Sequence, residues 1–374
     1  MNNKEIVFLV LILIMGCGSE EPAPRDWPIH SGDDVLEHVD TVPDLGDPQD
    51  FIVLGDTTMY LVDWAINGLH RYDLQSDSLS EGTGFGQGPG EINREANYFL
   101  ASLSETDIWL HDHGNRRITV YNRNLEPSNQ TSISGVLRSI PVSDSTFATV
   151  PFNGDVLADL RPFRPDLDRI EAEDTTSTIW TYPVRNQDPF QEAGRNLALQ
   201  YGPMTACGGE VVTAFDYASY LARIDTEGVH IMDSTPEHIA FPVDPDLPDE
   251  PWVRMPNWFN PRGTLDVACN NDFIYALFSG ESVSRSRVRT LDLSGRLTAA
   301  KRAELRAQIE QSDRLHVYDR DDGAFLYEVQ LPVKARQVAA TEDHLYLLVH
   351  KEEDVEIAQY SWVANPTTKN DQPS

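Results

Sequence analysis

Basic residues are scarce in this chain of 374 residues: 29 Lys and Arg stand against 60 Asp and Glu, a formal net charge of −31. Non-specific nucleic-acid binding needs clustered Lys and Arg against phosphate, so that class is excluded. Electrostatic docking on anionic lipid is disfavoured for the same reason. Cysteine is nearly absent, with Cys17, Cys207 and Cys269 alone, and no Cys-x-x-Cys pair offers a zinc or redox motif. His-Glu-x-x-His and Gly-x-Ser-x-Gly, the local signatures of zinc proteases and serine hydrolases, are missing too. A hydrophobic fraction of 40% nevertheless suffices for a packed core, which excludes general disorder.

One apolar run stands out, Ile6 to Met15, preceded by Lys4. It is shorter than the roughly 20 residues a spanning helix needs. It does fit the apolar region of an export signal, about 7–15 residues. Gly16-Cys17 follows, then the polar stretch from Gly18 to Pro24, which reads as a flexible tether. The segment from Leu13 to Cys17 resembles a bacterial lipoprotein signal. That resemblance implies that Cys17 receives the lipid and becomes the new N-terminus, and Gly18 in place of Asp implies the outer membrane. An ordinary secretory signal with an incidental cysteine is the alternative. Residues 1–16 are thus expected to be a signal peptide and 17–33 a tether, with the membrane as a partner through Cys17. Several acyl chains, each burying about 0.8 kcal/mol per CH₂, would hold such a protein stably.

Beyond the tether the chain reads as short β runs separated by Asp, Asn, Gly and Ser turns. A repeat runs through it. Met59 to Asp63, followed by Tyr72-Asp73, recurs 49 residues on as Ile108 to Asp112 followed by Tyr121-Asn122. A shift of 152 from the first copy aligns Val211 to Phe215, with Leu221 and Ile224-Asp225 on the same spacing. Leu315 to Asp319 repeats the second half, and Leu345 to Leu348 with Ile357 to Tyr360 supplies another copy. Units of roughly 40–50 residues built from antiparallel strands point to propeller blades rather than a helical solenoid. A lipocalin-like barrel would need longer strands and no such echo. Taking Tyr60, Trp109, Phe147, Val212, Ile274 and Tyr346 as first-strand anchors gives an all-β, six-bladed β-propeller over residues 34–363, its third blade degenerate. Alternation such as Leu315 and Val317 against His316 and Tyr318 puts one face on a core. Closure calls for a strand from one terminus, and Val35 to Val39 is the candidate, joining the last blade near Tyr346 and Tyr360.

Thr298 to Glu310 breaks the β pattern. It is Ala-rich, Thr298 suits an N-cap, and Leu305 and Ile309 form a narrow apolar stripe. One helical insertion over about 298–311 is therefore expected within the fifth blade, either a surface decoration or part of a binding face. Residues 364–374 read as a frayed tail.

Gly84-Phe85-Gly86-Gln87-Gly88-Pro89-Gly90-Glu91-Ile92 is the most specific local signal. With the lipid signal and the flanking repeats, it resembles the bacterial six-bladed β-propeller lipoproteins, whose broader relatives are the NHL-repeat and TolB-like propellers. In that family a segment matching Gly86 to Glu91 links one blade to the next. The resemblance implies a fold and a compartment without a settled activity. Physically, glycines accept positive φ and close backbone approach, Pro89 stiffens the crossing, and Glu91 is placed to accept backbone N–H bonds. Neither nucleotide-binding glycine pattern can be laid over the segment, so a structural linker outweighs a ligand loop.

His111-Asp112-His113 is the densest cluster of ligand-type side chains, but without a third ligand a turn outweighs a zinc site. Asp319 to Gly323 lacks the distal Glu of a calcium loop and reads as an Asp-Gly hairpin turn. Asp244 to Trp252, followed by Trp258-Phe259, is an acidic, Pro-rich connection whose aromatics pack on a blade or meet a partner. Two functions compete. The first is a non-catalytic binding module for a protein, peptide or glycan. The second is a calcium-dependent, lactonase-like hydrolase or lyase with ligands at the channel mouth, for which Asp63, Asp112, Asn115 and Glu91 are the residues to inspect. Cys207 and Cys269 occupy one position in successive repeats, entering turns that lean away from the axis. They are expected to be two separate buried thiols rather than a disulfide.

Overall fold

The computed structural model describes residues 27–363, apart from 43–44, 95–96, 105, 134–135, 145, 152–157, 163–168, 171–176, 181–201, 217, 228, 233–235, 237–260 and 352–353. Cys17 and the acidic segment from Asp244 to Phe259 lie outside the described residues.

The chain enters through β1 (Ile29–Ser31), a short helix α1 (Gly32–Val35) and β2 (Leu36–Val42). The first sheet follows as β3 (Pro48–Leu54), β4 (Thr58–Asp63), β5 (Gly68–Asp73) and β6 (Ser78–Thr83). The second is β7 (Tyr98–Ala101), β8 (Asp107–Asp112), β9 (Arg117–Asn122) and β10 (Pro127–Ile133). The third comprises β11 (Val136–Ser143), β12 (Thr146–Pro151) and β13 (Ala158–Pro162). The chain then leaves through β14 (Arg169–Ile170) and returns as β15 (Ser177–Trp180). The fourth is β16 (Met204–Ala206), β17 (Val211–Phe215), β18 (Ala218–Ile224) and β19 (Val229–Met232). The fifth holds β20 (Thr264–Cys269) and β21 (Phe273–Phe278), then α2 (Arg285–Leu293) and α3 (Ala299–Glu310), then β22 (Ser312–Asp319) and β23 (Phe325–Ala335). The last is β24 (Gln337–Ala340), β25 (His344–His350) and β26 (Val355–Trp362).

The innermost strands touch in turn, β3, β7, β11, β16, β20, β24, and back to β3. A closed ring of radially stacked antiparallel sheets is a β-propeller. The expectation of six blades, the third degenerate, needs correction: five sheets are regular blades, and the third in chain order departs from the pattern. There β14 deserts its own sheet and pairs in parallel with β10 of the second, so β13 and β15 are not joined as a simple hairpin.

β2 pairs antiparallel with β26, His38 opposite Tyr360, and so supplies the outer strand of the last sheet. This is the closure read from Val35 to Val39, shifted slightly along the chain. β1 adds a parallel fifth strand to β23, and the Trp27 indole N–H donates to Glu328 at 3.1 Å. The tether expected to run to residue 33 is thus bound to the fifth sheet from Trp27 onward. Each of the six anchor residues falls in a different sheet, always on its second strand rather than its first.

Those second strands are buried on both faces, not one. Met59 and Leu61 pack with Tyr346 and Leu348 of the last sheet. Tyr60 and Val62, pointing the other way, pack with Ile108 and Leu110 of the second. The period of two thus sends alternate residues to different neighbours, which makes the central strands nearly continuous in apolar character. β22, the third strand of the fifth sheet, is buried on both faces as well, so His316 and Tyr318, expected opposite the core face, are buried.

The insertion comprises two helices where one was expected. Thr298 caps α3 by accepting from the Lys301 N–H at 3.2 Å, and Leu305 and Ile309 are buried against Val283. Val288 and Leu291 of α2, one turn apart, pack against this cluster, and Leu293 is left 78% exposed.

Candidate functional site

Asp63 and Asp112 end the second strands of the first two sheets, and both are fully buried. The Asp63 carboxylate accepts from Gly46 N and Asp47 N, both at 2.9 Å, in the segment entering its sheet. It also accepts from Ala65 N at 2.7 Å and Ile66 N at 3.2 Å in the next turn. Asp112 repeats the arrangement with Asn93 N at 2.8 Å, Asn115 N at 3.0 Å and Asn115 Nδ2 at 2.8 Å. Asn115 Nδ2 also donates to Gly86 O at 3.1 Å. These side chains staple a crossing segment to a turn, and no group of three ligand side chains occurs among the described residues.

The glycine-rich segment is a latch between the first and second sheets. Glu91 accepts from Gly88 N at 2.7 Å, and a Cβ added at Gly86 would lie 2.0 Å from Glu91 Oε2. Gly90 has φ of 75°, and its carbonyl accepts from Thr83 Oγ1 at 2.6 Å and Tyr121 OH at 2.9 Å. Pro89 bridges Gly88 and Gly90 in the same turn. His111 is buried, and burial first, then the neighbouring His113 and Arg138 charges, hold its imidazole down to about 3, so it is neutral. Asp319 Oδ1 accepts from Asp321 N at 2.9 Å, and Gly323 adopts φ of 73°, as a hairpin turn requires.

A central cavity of about 100 Å³ runs between the inner strands. Since one water needs roughly 10–15 Å³ of such space, it holds a few waters or a small ion rather than a polymer. Three inner strands carry a bulge at the same place, immediately before Asp50, Arg138 and Asp266. Bulges re-aim side chains, and here they recur in the first, third and fifth sheets. Asp50 accepts from Leu100 N of the next sheet at 2.6 Å, and Asp266 accepts from Val338 N of its own next sheet at 2.8 Å. Burial pushes Asp50 up to about 7 and Asp266 up to about 8, against the pull of these N–H groups and of the Arg138 charge. Arg138 lies 4.6 Å from the Phe99 ring centroid, a cation–π distance. Sequence comparison aligned the second strands, so Asp50 and Asp266, each two residues into an inner strand, went unnoticed. Their shared position before an apolar run was the available signal.

At the mouth on the crossing side, Arg262 pairs with Asp216 at 3.2 Å. Burial raises the Asp216 carboxyl, opposed by Arg262 and Arg138, and Glu310 at the end of α3 raises it further. Glu310 also acts on His350 of the last sheet. Glu310 at the end of α3 thus acts electrostatically on groups of both the fourth sheet and the last.

At the other end, Cys207 and Cys269 form a disulfide with Cα atoms 6.0 Å apart. The expectation of two free thiols is overturned. Both residues stay at the inner-strand ends instead of leaning outward, and Arg320 holds them there, bonding to Asn270 O at 2.9 Å, to Glu210 at 3.2 Å and to Cys207 O.

No family model matches the chain, and no curated protein matches it. Among solved structures, a Bacteroides fragilis protein described as exported aligns with a TM-score of 0.52 at 10% identity, over 89% of this chain and 97% of that one. The likeness is one of fold. Virginiamycin B lyase from Staphylococcus aureus aligns at a TM-score of 0.44 and 8% identity, covering 87% of this chain and 98% of the lyase. The Swd1 β-propeller domain from Myceliophteria thermophila aligns at 0.44 and 10% identity, over 87% and 99%. These two scores carry no functional argument.

Proposed function

We propose that the protein is a lipid-anchored, extracytoplasmic β-propeller that serves as a non-catalytic binding module for a protein, peptide or glycan, held at the outer membrane through Cys17. The observation that carries the compartment is the Cys207–Cys269 bond, since disulfides form and persist where the surroundings are oxidising. Asp63, Asp112, Asn115 and Glu91 spend their polar atoms on their own loops, so a calcium-dependent hydrolase or lyase is not built from them. What projects beyond that latticework is the α2–α3 hairpin, and insertions on one face of a repeat protein often form its binding face. We read the irregular third sheet as a sixth, degenerate blade, because β11 touches β7 on one side and β16 on the other.

Metabolic labelling with a fatty-acid analogue, followed by fractionation, tests the anchor. Wild type carries label in the outer-membrane fraction, and Cys17→Ser is unlabelled and soluble; unlabelled wild type refutes lipidation. Peptide and glycan arrays test the module. Binding that is lost when residues 282–310 are replaced by a short turn supports it, and binding indifferent to that deletion refutes the assigned face.

A further inference from the structure

A second concavity lies at the opposite face, where the β20–β21 and β24–β25 turns of the fifth and sixth sheets meet. It encloses about 220 Å³. Its wall is aromatic: Tyr275 and Trp362 stack with centroids 5.8 Å apart and planes at 21°, and Phe273 lies 6.3 Å from Tyr275. Tyr275 and Tyr327 are buried, whereas Phe273 and Trp362 are half-buried and keep surface toward the cavity. Its rim is acidic. Asp272, Glu342 and Asp343 are exposed on the two turns, and among the described residues none forms an ion pair with Lys, Arg or His.

The rim is also fixed in place. Asn270 Nδ2 donates at 3.2 Å both to Tyr275 OH and to Thr341 O of the next sheet, and Asn271 N donates to Glu342 Oε1 at 2.9 Å. Burial, then Tyr327, then the Glu342 and Asp272 charges push the Tyr275 phenol up, so the field of the rim reaches the wall. The Trp362 indole N–H has no acceptor among the described residues.

We propose that this cleft receives an organic cation, the ammonium of a lysine side chain or a quaternary amine, against Trp362 and Phe273 and within the ring of Asp272, Glu342 and Asp343. Aromatic faces attract cations through their quadrupole, most strongly when the cation is partly desolvated. Three uncompensated carboxylates supply the field, and a net charge of −31 raises the local cation concentration around the whole molecule. The space is below the roughly 300 Å³ where drug-sized ligands begin, so it suits one head group or one side-chain end. The site is a second binding surface, separate from the face assigned to α2–α3. It sits on the face away from α2–α3, so deleting that hairpin leaves it intact and the two readings fail separately.

Calorimetric titration of the purified full chain tests it with four probes: N-acetyl-lysine methylamide, choline, and their neutral counterparts N-acetyl-norleucine methylamide and 3,3-dimethylbutanol. At least one cation is expected to bind about tenfold or more tightly than its neutral counterpart and to weaken with added salt. Lysine binding alone assigns a peptide source, choline binding alone a quaternary head group, and both together the shared chemistry. The combined variant Asp272→Asn, Glu342→Gln, Asp343→Asn, all on exposed turns, lowers affinity about tenfold or more, and Trp362→Leu does the same. Neutral probes binding as well as cations, or undiminished binding by the triple variant, overturns the proposal.

Discussion

Replacing Asp50 and Asp266 by Asn should stabilise the propeller at alkaline pH and leave it nearly unchanged at acid pH. Each carboxyl bonds a backbone N–H across to the next sheet, and an Asn oxygen can keep that bond. The native state holds Asp50 at about 7 and Asp266 at about 8, against an ordinary 3.8. Native protein therefore binds protons that the unfolded chain has released, and stability falls as pH rises from about 4 through about 8. Three to four pKa units at 1.36 kcal/mol each give a ceiling of about 4–6 kcal/mol per residue. Both side chains line a cavity with room for a few waters, which would screen the charge, so about 1–2 kcal/mol each is the working figure. With unfolding entropy near 2.1 cal/mol/K per residue, a domain of some 330 residues shifts by about 1.5 °C per kcal/mol. The double variant should thus melt about 3–6 °C above wild type at pH 9 and within about 2 °C of it at pH 5. Calorimetric melts at the two pH values decide it. Subtracting wild type removes the general repulsion of the −31 surface charge. An equal difference at both pH values would refute the buried-charge argument.

Cys207→Ser should destabilise by up to about 4 kcal/mol, the loop-closure value for a separation of 62 residues, and thiol titration of denatured, unreduced wild type should find neither Cys207 nor Cys269. Gly86→Ala drives a Cβ to 2.0 Å from the Glu91 carboxylate and should cost about 1–3 kcal/mol in urea unfolding, whereas Gly55→Ala has open space and a cost confined to its positive φ. Removing residues 282–310 should leave one cooperative transition, because Val283, Leu305 and Ile309 form a cluster of their own; a broadened transition would show that the hairpin supports the ring.

The repeat was legible because second strands sit between two neighbours and must be apolar throughout, which leaves runs such as Leu345 to Leu348 that survive divergence. The closing strand was legible for a related reason: an outer edge must be covered, and a β run ahead of the first repeat was the available cover. Inner strands escaped notice because they border water on one side and carry mixed residues, so Asp50, Arg138 and Asp266 left no periodic trace. α2 was missed since Arg285 to Leu293 is rich in charged and polar residues and offers only the short pair Val288 and Leu291 as a stripe. The disulfide was misjudged on distance alone. Equivalent positions one sheet apart are close only if both turns stay near the axis, and that depends on Arg320, more than 50 residues away in sequence from both. The rim acids of the aromatic cleft lie on two turns some 70 residues apart, which no linear motif joins.

The pairing of β2 with β26 also sets an order of events. β2, among the first strands to leave the ribosome, finds its partner last, when nearly the whole chain has followed it. β1 waits almost as long for β23. Through that interval two strand edges are open to neighbouring chains, in a fold whose contacts are mostly distant in sequence and therefore slow to form. Loss of β26 at the C-terminus would strand an edge at each side of the opened ring, so truncation should make the propeller aggregate.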